Sequence, residues 1–359
     1  MKKIAIMTAG GDCAGLNSVI KSVVLSAEKN NIEVVGIIDG FIGFIEKKYM
    51  ELNGKVVQNI DTLGGTILGS SNKECPFHYP SKEDKNVFVD RTDEGVDGLK
   101  ELGVEALIVV GGDGTLDSAR VIYEHGMPTV GIPKTIDNDM SASDPTIGFD
   151  TAVEAAVESI KRIKTTAYSH RRIMVVETMG RTSGYLTLYA GFAANADVIL
   201  LPEIEYDMDI VVDKVKKVME SDKRCCIVVA SEAAKEKGKD EVIKKIVKDS
   251  FEQKRYGGVS EMIAEKLEML TGFEARNVVL GHIQRGGSPS ISDHILATRL
   301  GGYAMKLVLN GEFGKIVGIK NGKLENIDFP KDRIPRLLDI ENNDMVLTAK
   351  NMDICFGDK

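Results

Sequence analysis

Short apolar runs that end at glycine or at polar residues recur along the whole chain. Residues 4–8 form the first run and end just before Gly10, and residues 106–110 and 129–132 form runs of the same kind. Between the runs, apolar residues recur at helical spacing, as they do over residues 19–27. Strands that alternate with helices in this way indicate parallel sheets with helices on both faces. We therefore expect an α/β fold of two Rossmann-like three-layer lobes, with mostly parallel sheets and an active site in the cleft between them.

The same pattern predicts the other main elements. Further strands are expected at residues 33–38, 173–176, 198–201, 226–230 and 277–280, and helices at residues 93–102, 116–125, 151–163 and 259–270. Residues 76–91 are polar and irregular, which is typical of a surface insertion. Two stretches of mixed charge, residues 235–248 and 331–336, are interpreted as solvated faces rather than binding patches.

Composition narrows the class of protein. A chain of 359 residues with 43% hydrophobic and 28% charged residues is long enough for two domains with large cores. The net charge of −8 argues against broad nucleic-acid binding, although a local group of arginines can still hold phosphates. Five cysteines without a CxxC pair favour neither a disulfide framework nor a zinc site. Because the first apolar run is too short for a signal segment or a membrane span, we expect a cytoplasmic protein.

Two glycine-rich turns are predicted between a strand and a helix. They read Gly-Gly-Asp-Cys-Ala-Gly-Leu-Asn at residues 10–17 and Gly-Gly-Asp-Gly-Thr at residues 111–115. Glycines let the backbone approach a ligand closely, and the free N–H groups at a helix start suit an anion. The second turn also places an aspartate where Mg²⁺ would bridge phosphates. The first turn matches neither the dinucleotide fingerprint nor the Walker loop and is weak evidence by itself. The pentapeptide of the second turn is similar to one found in NAD kinases and diacylglycerol kinases, and this resemblance implies a nucleotide phosphate rather than one reaction.

An acidic loop follows the run at residues 129–132. It reads Pro-Lys-Thr-Ile-Asp-Asn-Asp at residues 133–139, at the carboxyl end of a predicted strand, where open α/β sheets bind ligands. If the loop is extended, Thr135, Asp137 and Asp139 share one face. One carboxylate could then take a proton from a hydroxyl while the other orients it or holds a metal. The alternative is a turn in which Asp and Asn satisfy their own backbone.

Other polar residues stand at predicted strand ends. Arg172 and Arg181 lie at opposite ends of one strand, too far apart to touch one phosphate within a single lobe. Glu232 ends another strand and could bind sugar hydroxyls or cap a helix. Residues 281–288 read Gly-His-Ile-Gln-Arg-Gly-Gly-Ser directly after an apolar strand, which favours a phosphate site over packing.

Taken together and in order, these motifs resemble 6-phosphofructokinases over residues 3–318, and Thr-Ile-Asp-Asn-Asp with Gly-His-Ile-Gln-Arg-Gly-Gly is the most specific pair. The resemblance implies phosphorylation of fructose 6-phosphate at its C1 hydroxyl with MgATP, in glycolysis, by a homotetramer or homodimer with shared active sites. Nucleic acid and membrane are not expected partners. The resemblance also implies a phosphoryl-donor lobe at residues 1–148, completed by about 284–334, and a sugar-phosphate lobe at residues 149–283, completed by about 335–359.

The resemblance assigns roles to single residues. Asp137 matches the general base, and the catalytic set is completed by Thr135, Asp139 and Arg181. Asp113 matches the Mg²⁺ residue. The donor-binding set is Gly11, Asn72, Lys73, Gly112, Asp113, Gly114, Thr115 and Lys134. The sugar-phosphate set, which also shares Thr135, Asp137 and Arg181, is Arg172, Met179, Gly180, Glu232, Arg276, His282 and Arg285. In this family Arg172 and Arg276 would reach in from a neighbouring subunit.

Some positions depart from the family pattern. Asn72 and Lys73 stand where an arginine normally serves the phosphates, and Lys21 and Leu25 stand where regulated bacterial enzymes carry arginines, so control by ADP or phosphoenolpyruvate is not expected. Gly114 favours ATP, because pyrophosphate-dependent members have an aspartate there.

Lys134, in contrast, is typical of pyrophosphate users. We expect ATP as donor, since an aspartate would exclude the nucleotide whereas a lysine does not, and pyrophosphate is the alternative.

A catalytically silent sugar-phosphate sensor and a NAD- or lipid-type kinase are competing hypotheses, and the acceptor could extend to sedoheptulose 7-phosphate.

Overall fold

Strands and helices alternate through most of the chain. The computed structural model describes residues 1–71, 75–81, 83–84, 87–246, 254–332 and 335–358. The strands are β1 (Lys3–Thr8), β2 (Glu33–Ile37), β3 (Tyr49–Leu52), β4 (Tyr79–Pro80), β5 (Phe88–Val89), β6 (Ala106–Gly111), β7 (Thr129–Pro133), β8 (Ile173–Thr178), β9 (Val198–Leu200), β10 (Cys226–Ser231), β11 (Ile243–Ile246), β12 (Lys254–Tyr256), β13 (Ala275–Val279), β14 (Lys315–Lys320) and β15 (Lys323–Asp328). The helices are α1 (Leu16–Lys29), α2 (Phe41–Glu46), α3 (Thr92–Glu101), α4 (Asp113–Glu124), α5 (Phe149–His170), α6 (Tyr185–Ala193), α7 (Met208–Met219), α8 (Val259–Thr271), α9 (Ile291–Asn310) and α10 (Asp344–Asn351).

The larger sheet has seven strands in the order β15-β14-β7-β6-β1-β2-β3. Its five central strands pair in parallel, and β3 and β15 are antiparallel edges. Alternate residues of β1 enter different cores: Ile4 and Ile6 pack with α1 and α9, and Ala5 and Met7 pack with α2, α3 and α4. Both faces are therefore buried, which explains why these strands read as continuous apolar runs. We call this sheet and its helices the first lobe.

The smaller sheet has four parallel strands in the order β13-β8-β10-β9. Val176 packs in a core with residues of α5, α6 and α10, and its neighbour Val175 packs in another with residues of α7 and α8. We call this sheet and its helices the second lobe. The expected fold of two Rossmann-like three-layer lobes with mostly parallel sheets is confirmed, whereas the functional division at residues 148 and 283 stays a prediction.

The region of residues 76–91 differs from its expected description as a surface insertion. Strands β4 and β5 pair in antiparallel fashion there, and Tyr79 is buried in the core on the α2 and α3 side of the larger sheet. The aromatic side chain anchors an otherwise polar segment, because its burial contributes roughly 1.5–3 kcal/mol. None of the helices in the described ranges is both long enough and apolar enough to cross a membrane.

Candidate active site

Some of the polar residues singled out in the sequence come together where the two lobes meet. The carboxyl end of β7 leads into the loop at residues 134–139, and the carboxyl end of β8 leads into the turn that carries Arg181. Arg181 Nε lies 3.3 Å from Asp137 Oδ2, so an arginine of the second lobe pairs with a carboxylate of the first. This pair lies at the crevice beyond the carboxyl ends of parallel strands, where α/β folds bind ligands.

The two carboxylate oxygens of Asp137 differ in their contacts. Oδ2 accepts a hydrogen bond from Thr135 Oγ1 at 3.3 Å and pairs with Arg181. The Asp137 N–H in turn donates to Thr135 Oγ1 at 3.1 Å. Oδ1 is buried and has no hydrogen-bond partner among the described residues. A buried carboxylate with one fixed and one available oxygen has the arrangement that a general base requires.

The loop itself is not extended as the alternation of its residues would require. Asn138 has φ +53°, in the left-handed region, so the chain turns between Asp137 and Asp139. The Asn138 side chain stabilises the turn, because its Oδ1 accepts hydrogen bonds from Thr146 N at 3.1 Å and from Thr146 Oγ1 at 3.3 Å. The condition for a shared face, an extended loop, is therefore not met, and the turn alternative describes the backbone.

Asp139 is a second buried carboxyl group beside Asp137. Burial, and after it the negative charges of Asp137 and Asp113, raise the pKa of Asp139 to about 7, while the positive charge of Arg181 works against the shift. The carboxyl groups of Asp137, Asp139 and Asp113 therefore interact, and those of Asp137 and Asp139 are buried. A cation bound among them would offset their mutual repulsion.

This charge distribution fits Mg²⁺ that arrives with a nucleotide. Over the part of the chain that the structure describes, no three His, Cys, Asp or Glu side chains form a ready metal cluster. Mg²⁺ does not need one, since it is commonly held by one or two carboxylates together with substrate phosphates and water. Asp113, at the start of α4, is placed for this role.

The raised pKa of Asp139 predicts a pH dependence of stability in the ligand-free protein. The ordinary value is 3.8 and the folded value is about 7. Between these values the folded state retains a proton that the unfolded chain has released, so the contribution of Asp139 to the free energy of unfolding falls as the pH rises. Asp139→Asn cannot ionise, and we expect it to raise Tm at pH 8 by about 2–4 °C, with a smaller difference at pH 4.5.

Thermal unfolding followed by fluorescence at both pH values would measure this difference. Asp328→Asn is the matched control, because it makes the same chemical change at an exposed carboxylate on β15. A gain in Tm for Asp139→Asn that is equal at both pH values would contradict the prediction.

The first turn of α4 forms an anion cradle. Helix α4 starts at Asp113 after Gly112, so Gly112–Thr115 present the N–H groups that have no partner within a helix. A Cβ on Gly111 would lie 2.3 Å from Thr115 Cγ2, and a Cβ on Gly11 would lie 2.6 Å from Arg285 Nη1. Glycine at both positions therefore lets the first glycine-rich turn, the start of α4 and the segment of Arg285 pack closely together.

Lys134 adds a buried positive charge beside this cradle. Its Nζ donates to Gly11 O, and its side chain is almost fully buried. Burial is the main cause that lowers the pKa of Lys134, and the nearby Arg285 and Arg181 lower it as well. An anion bound here would stabilise the charged lysine. Asn72 and Lys73, expected in the same donor set, lie outside the described residues.

The turn after β8 is held by Glu232. Gly180 has φ +140° and Arg181 has φ +51°, and the Arg181 N–H donates to Glu232 Oε1 at 3.1 Å. A Cβ on Gly180 would lie 2.7 Å from Ser183 O. Burial raises the pKa of Glu232 to about 7. Glu232 thus orients the turn of Met179, Gly180 and Arg181 in the ligand-free chain.

The four residues of the expected phosphate clamp are not brought together within one chain. Arg172 Nε pairs with Glu274 Oε2 at 2.6 Å, and Arg276 Nη2 pairs with Glu274 Oε1 at 2.5 Å. Both arginines lie at the amino ends of β8 and β13, and the six residues of β8 place them about 20 Å from the turn that carries Arg181.

The other two members of the clamp lie at the carboxyl end of β13. Arg285 Nη1 donates to Asp12 O at 3.0 Å, against the first glycine-rich turn, and His282 is exposed. The four residues therefore do not form a complete clamp within this chain.

Sequence reasoning missed one residue of the site. Arg336 belongs to a charged stretch interpreted as a solvated face, yet its guanidinium donates to carbonyl oxygens of the loop that carries Asp137. That interpretation was wrong for Arg336. No pattern could have revealed the contact, because its acceptors are backbone carbonyls, which every residue has.

Comparison with known proteins agrees with this geometry. A family model described as "Phosphofructokinase" matches residues 3–308. The "ATP-dependent 6-phosphofructokinase 2" of Clostridium perfringens is 45% identical over 368 residues, which cover 100% of this chain and 99% of that protein. The "ATP-dependent 6-phosphofructokinase 3" of Streptomyces coelicolor is 42% identical over 326 residues, which cover 90% of this chain and 93% of that protein.

The fold is also similar to a solved structure. The phosphofructokinase of Saccharomyces cerevisiae matches with a TM-score of 0.79 at 27% sequence identity. The match covers 99% of this chain and 47% of the yeast chain, and so includes both lobes described above.

Proposed function

The chain belongs to the phosphofructokinase family, and we propose that it transfers the γ-phosphoryl group of ATP to the C1 hydroxyl of fructose 6-phosphate, a step of glycolysis. The observation that carries the proposal is the buried Asp137 carboxylate, with one oxygen held by Thr135 and Arg181 and the other without a partner among the described residues. Burial of a carboxylate without a partner for one oxygen costs free energy. A sensor without catalytic activity has no need for such a group, whereas an enzyme uses it as a base.

The chemistry follows from the positions of these groups. Asp137 Oδ1 takes the proton of the C1 hydroxyl as the hydroxyl oxygen attacks the phosphoryl group, and Thr135 and Arg181 hold the carboxylate in orientation. Arg181 also places positive charge where negative charge spreads over the transferred group. Bound Mg²⁺, held by Asp113, would neutralise charge on the donor phosphates. General-base assistance supplies about 10²–10⁴-fold, so the remainder comes from positioning and charge stabilisation.

Two features support ATP as donor. The two relatives compared above carry "ATP-dependent" in their names. Gly114, in the first turn of α4, adds neither bulk nor charge next to Asp113. Lys134 is compatible with either donor, because a buried cation attracts any phosphate.

A coupled assay with Mg²⁺, fructose 6-phosphate and either ATP or pyrophosphate, at matched concentrations, tests the proposal. We expect activity with ATP and none with pyrophosphate. Gly114→Asp should lower kcat/KM for ATP by at least about 10²-fold, because a second carboxylate beside Asp113 repels the donor phosphates and fills space that the nucleotide needs. Activity of the wild type with pyrophosphate alone would instead support the alternative donor, and activity with neither donor would support the sensor hypothesis.

A second subunit would complete the site. Strand β13 is an edge of the smaller sheet, and exposed apolar side chains lie on it and on the neighbouring elements, with Met269 of α8 74% exposed, Val279 54% and Ile283 57%. An apolar patch at a sheet edge is typical of a subunit interface. Arg172 and Arg276 of one chain would then serve the site of another. Sedimentation analysis should find a homodimer or homotetramer under assay conditions.

A cytoplasmic location stays a prediction.

A further inference from the structure

One arginine near the end of the chain contacts the backbone of the loop that carries the base. Arg336 Nη2 donates to the carbonyl oxygens of Asn138 and Asp144, both at 2.7 Å. Arg336 Nε donates to Asn138 O at 3.2 Å, and Nη1 donates to Ser143 O at 3.3 Å. The backbone N–H of Arg336 donates to Asp139 O at 2.6 Å. Because a guanidinium holds its donors in one plane, it fixes three carbonyl groups relative to one another.

The loop needs this support at one residue in particular. Asn138 lies between Asp137 and Asp139 and has φ +53°, a conformation that costs a non-glycine residue roughly 1–3 kcal/mol. Such a conformation persists when contacts on several sides determine it. Thr146 binds the side chain of Asn138, and Arg336 binds its carbonyl oxygen twice. The direction of the Asp137 side chain depends on this turn.

The same segment contacts the second lobe. Arg336 Cζ lies over the Tyr185 ring, 4.8 Å from its centroid. Tyr185 is the first residue of α6, directly after the turn that carries Arg181. Glu203 Oε1 accepts hydrogen bonds from Leu338 N at 3.1 Å and from Gly184 N at 2.9 Å. Leu338 is buried in the core of the second lobe. Residues 335–338 therefore bridge the loop of Asp137 and the turn of Arg181.

We infer that Arg336 is a positioning residue, which sets the orientation of the Asp137 carboxylate relative to Arg181 without itself contacting the reacting atoms. The inference rests on the function proposed above. Its contacts are with backbone carbonyls of the loop, with the Asp144 carboxylate at 3.8 Å and with the α6 side of the cleft, whereas the anion cradle of α4 and Lys134 is built from other residues. Removal of the guanidinium should therefore impair the chemical step more than the binding of either substrate.

The test compares Arg336→Ala with the wild type and with Arg299→Ala. Arg299 is the matched control, because it is an exposed arginine whose Nη2 donates to one carbonyl, Gly322 O, at 3.1 Å. In Arg336→Ala we expect kcat to fall about 10²-fold with both KM values changed less than about threefold, since a displacement of about 1 Å costs that much in rate. Added guanidinium ion should restore part of kcat in Arg336→Ala and have no such effect in the control.

Each outcome has a definite meaning. Equal kcat in Arg336→Ala and Arg299→Ala would overturn the inference while leaving the proposed function intact. If the alanine variant does not fold, Arg336→Lys carries the test, because lysine keeps the charge but not the planar fork, and a wild-type kcat in that variant would overturn the inference.

An inactive wild type would instead overturn the proposed function. Amide hydrogen exchange over residues 136–144 would then test whether Arg336 holds the loop. Faster exchange in Arg336→Ala than in the control supports this role, and equal exchange rejects it.

Discussion

Asp137→Asn is expected to lower kcat for fructose 6-phosphate phosphorylation by about 10²–10⁴-fold, the range that general-base assistance supplies. The amide keeps the size of the carboxylate and can still contact Thr135, so the fold and the site should persist. It cannot accept the proton from the C1 hydroxyl, which is why the chemical step alone should fail. Steady-state kinetics, together with calorimetric titration of fructose 6-phosphate, would separate turnover from binding.

The control for this variant is Asp328→Asn, the same substitution at an exposed carboxylate of β15, with unchanged kcat expected. A kcat for Asp137→Asn within about threefold of the wild type would reject Asp137 as the base. Loss of sugar-phosphate binding and thermal stability together would assign Asp137 a structural role instead.

Arg181→Met is expected to lower kcat by about 10²–10³-fold, the usual cost of removing one preorganised donor to developing negative charge. Methionine retains the length of the side chain but not the cation that pairs with Asp137 Oδ2. The positive charge of Arg181 also lowers the pKa of Asp139. Its loss should therefore raise that pKa in the ligand-free protein, so that a larger fraction of Asp139 is protonated at neutral pH. Kinetics across pH 5–9 would show the fall in kcat.

Arg171→Met provides a matched comparison, because Arg171 is also an arginine in the left-handed region, with φ +53°, at an exposed position. The comparison separates loss of the guanidinium from strain introduced into the turn. Equal kcat values in the two variants would remove Arg181 from the catalytic set. Arg181→Lys should lie between Arg181→Met and the wild type, since lysine supplies charge without the bidentate fork.

The sequence predicted the central strands because their environment leaves a simple signature. Strands β1, β6, β7, β8 and β10 are buried on both faces, so they read as apolar runs that end at glycine or polar residues. Strand β3 lacks this signature, because Tyr49, Met50 and Glu51 lie at a half-exposed edge. The pairing of β14 with β7 has no local sequence pattern either, since it joins segments that are far apart in the chain, although the resemblance implies that residues 284–334 complete the first lobe.

The contact between Asp137 and Arg181 was predictable from the sequence, whereas the conformation of the loop that carries Asp137 was not. Asp137 and Arg181 follow strands, and the rule that ligands bind at carboxyl ends of parallel strands brings them together. The left-handed Asn138 has no sequence signal beyond the tolerance of asparagine for that region. Arg336 could not be identified, because hydrogen bonds to backbone carbonyls leave no preference for particular partner residues.

The strand order of the larger sheet also dictates when the enzyme can become functional during synthesis. Strand β7, whose end carries the base, is paired on one side by β6 but on the other by β14, and the whole smaller sheet is encoded between them. During synthesis from the amino terminus, β7 is therefore made before its partner β14, and its loop lacks Arg336 until residue 336 has been added. Because such a long-range closure costs loop entropy before its contacts form, we expect the Asp137 loop to be among the last parts of the first lobe to become ordered.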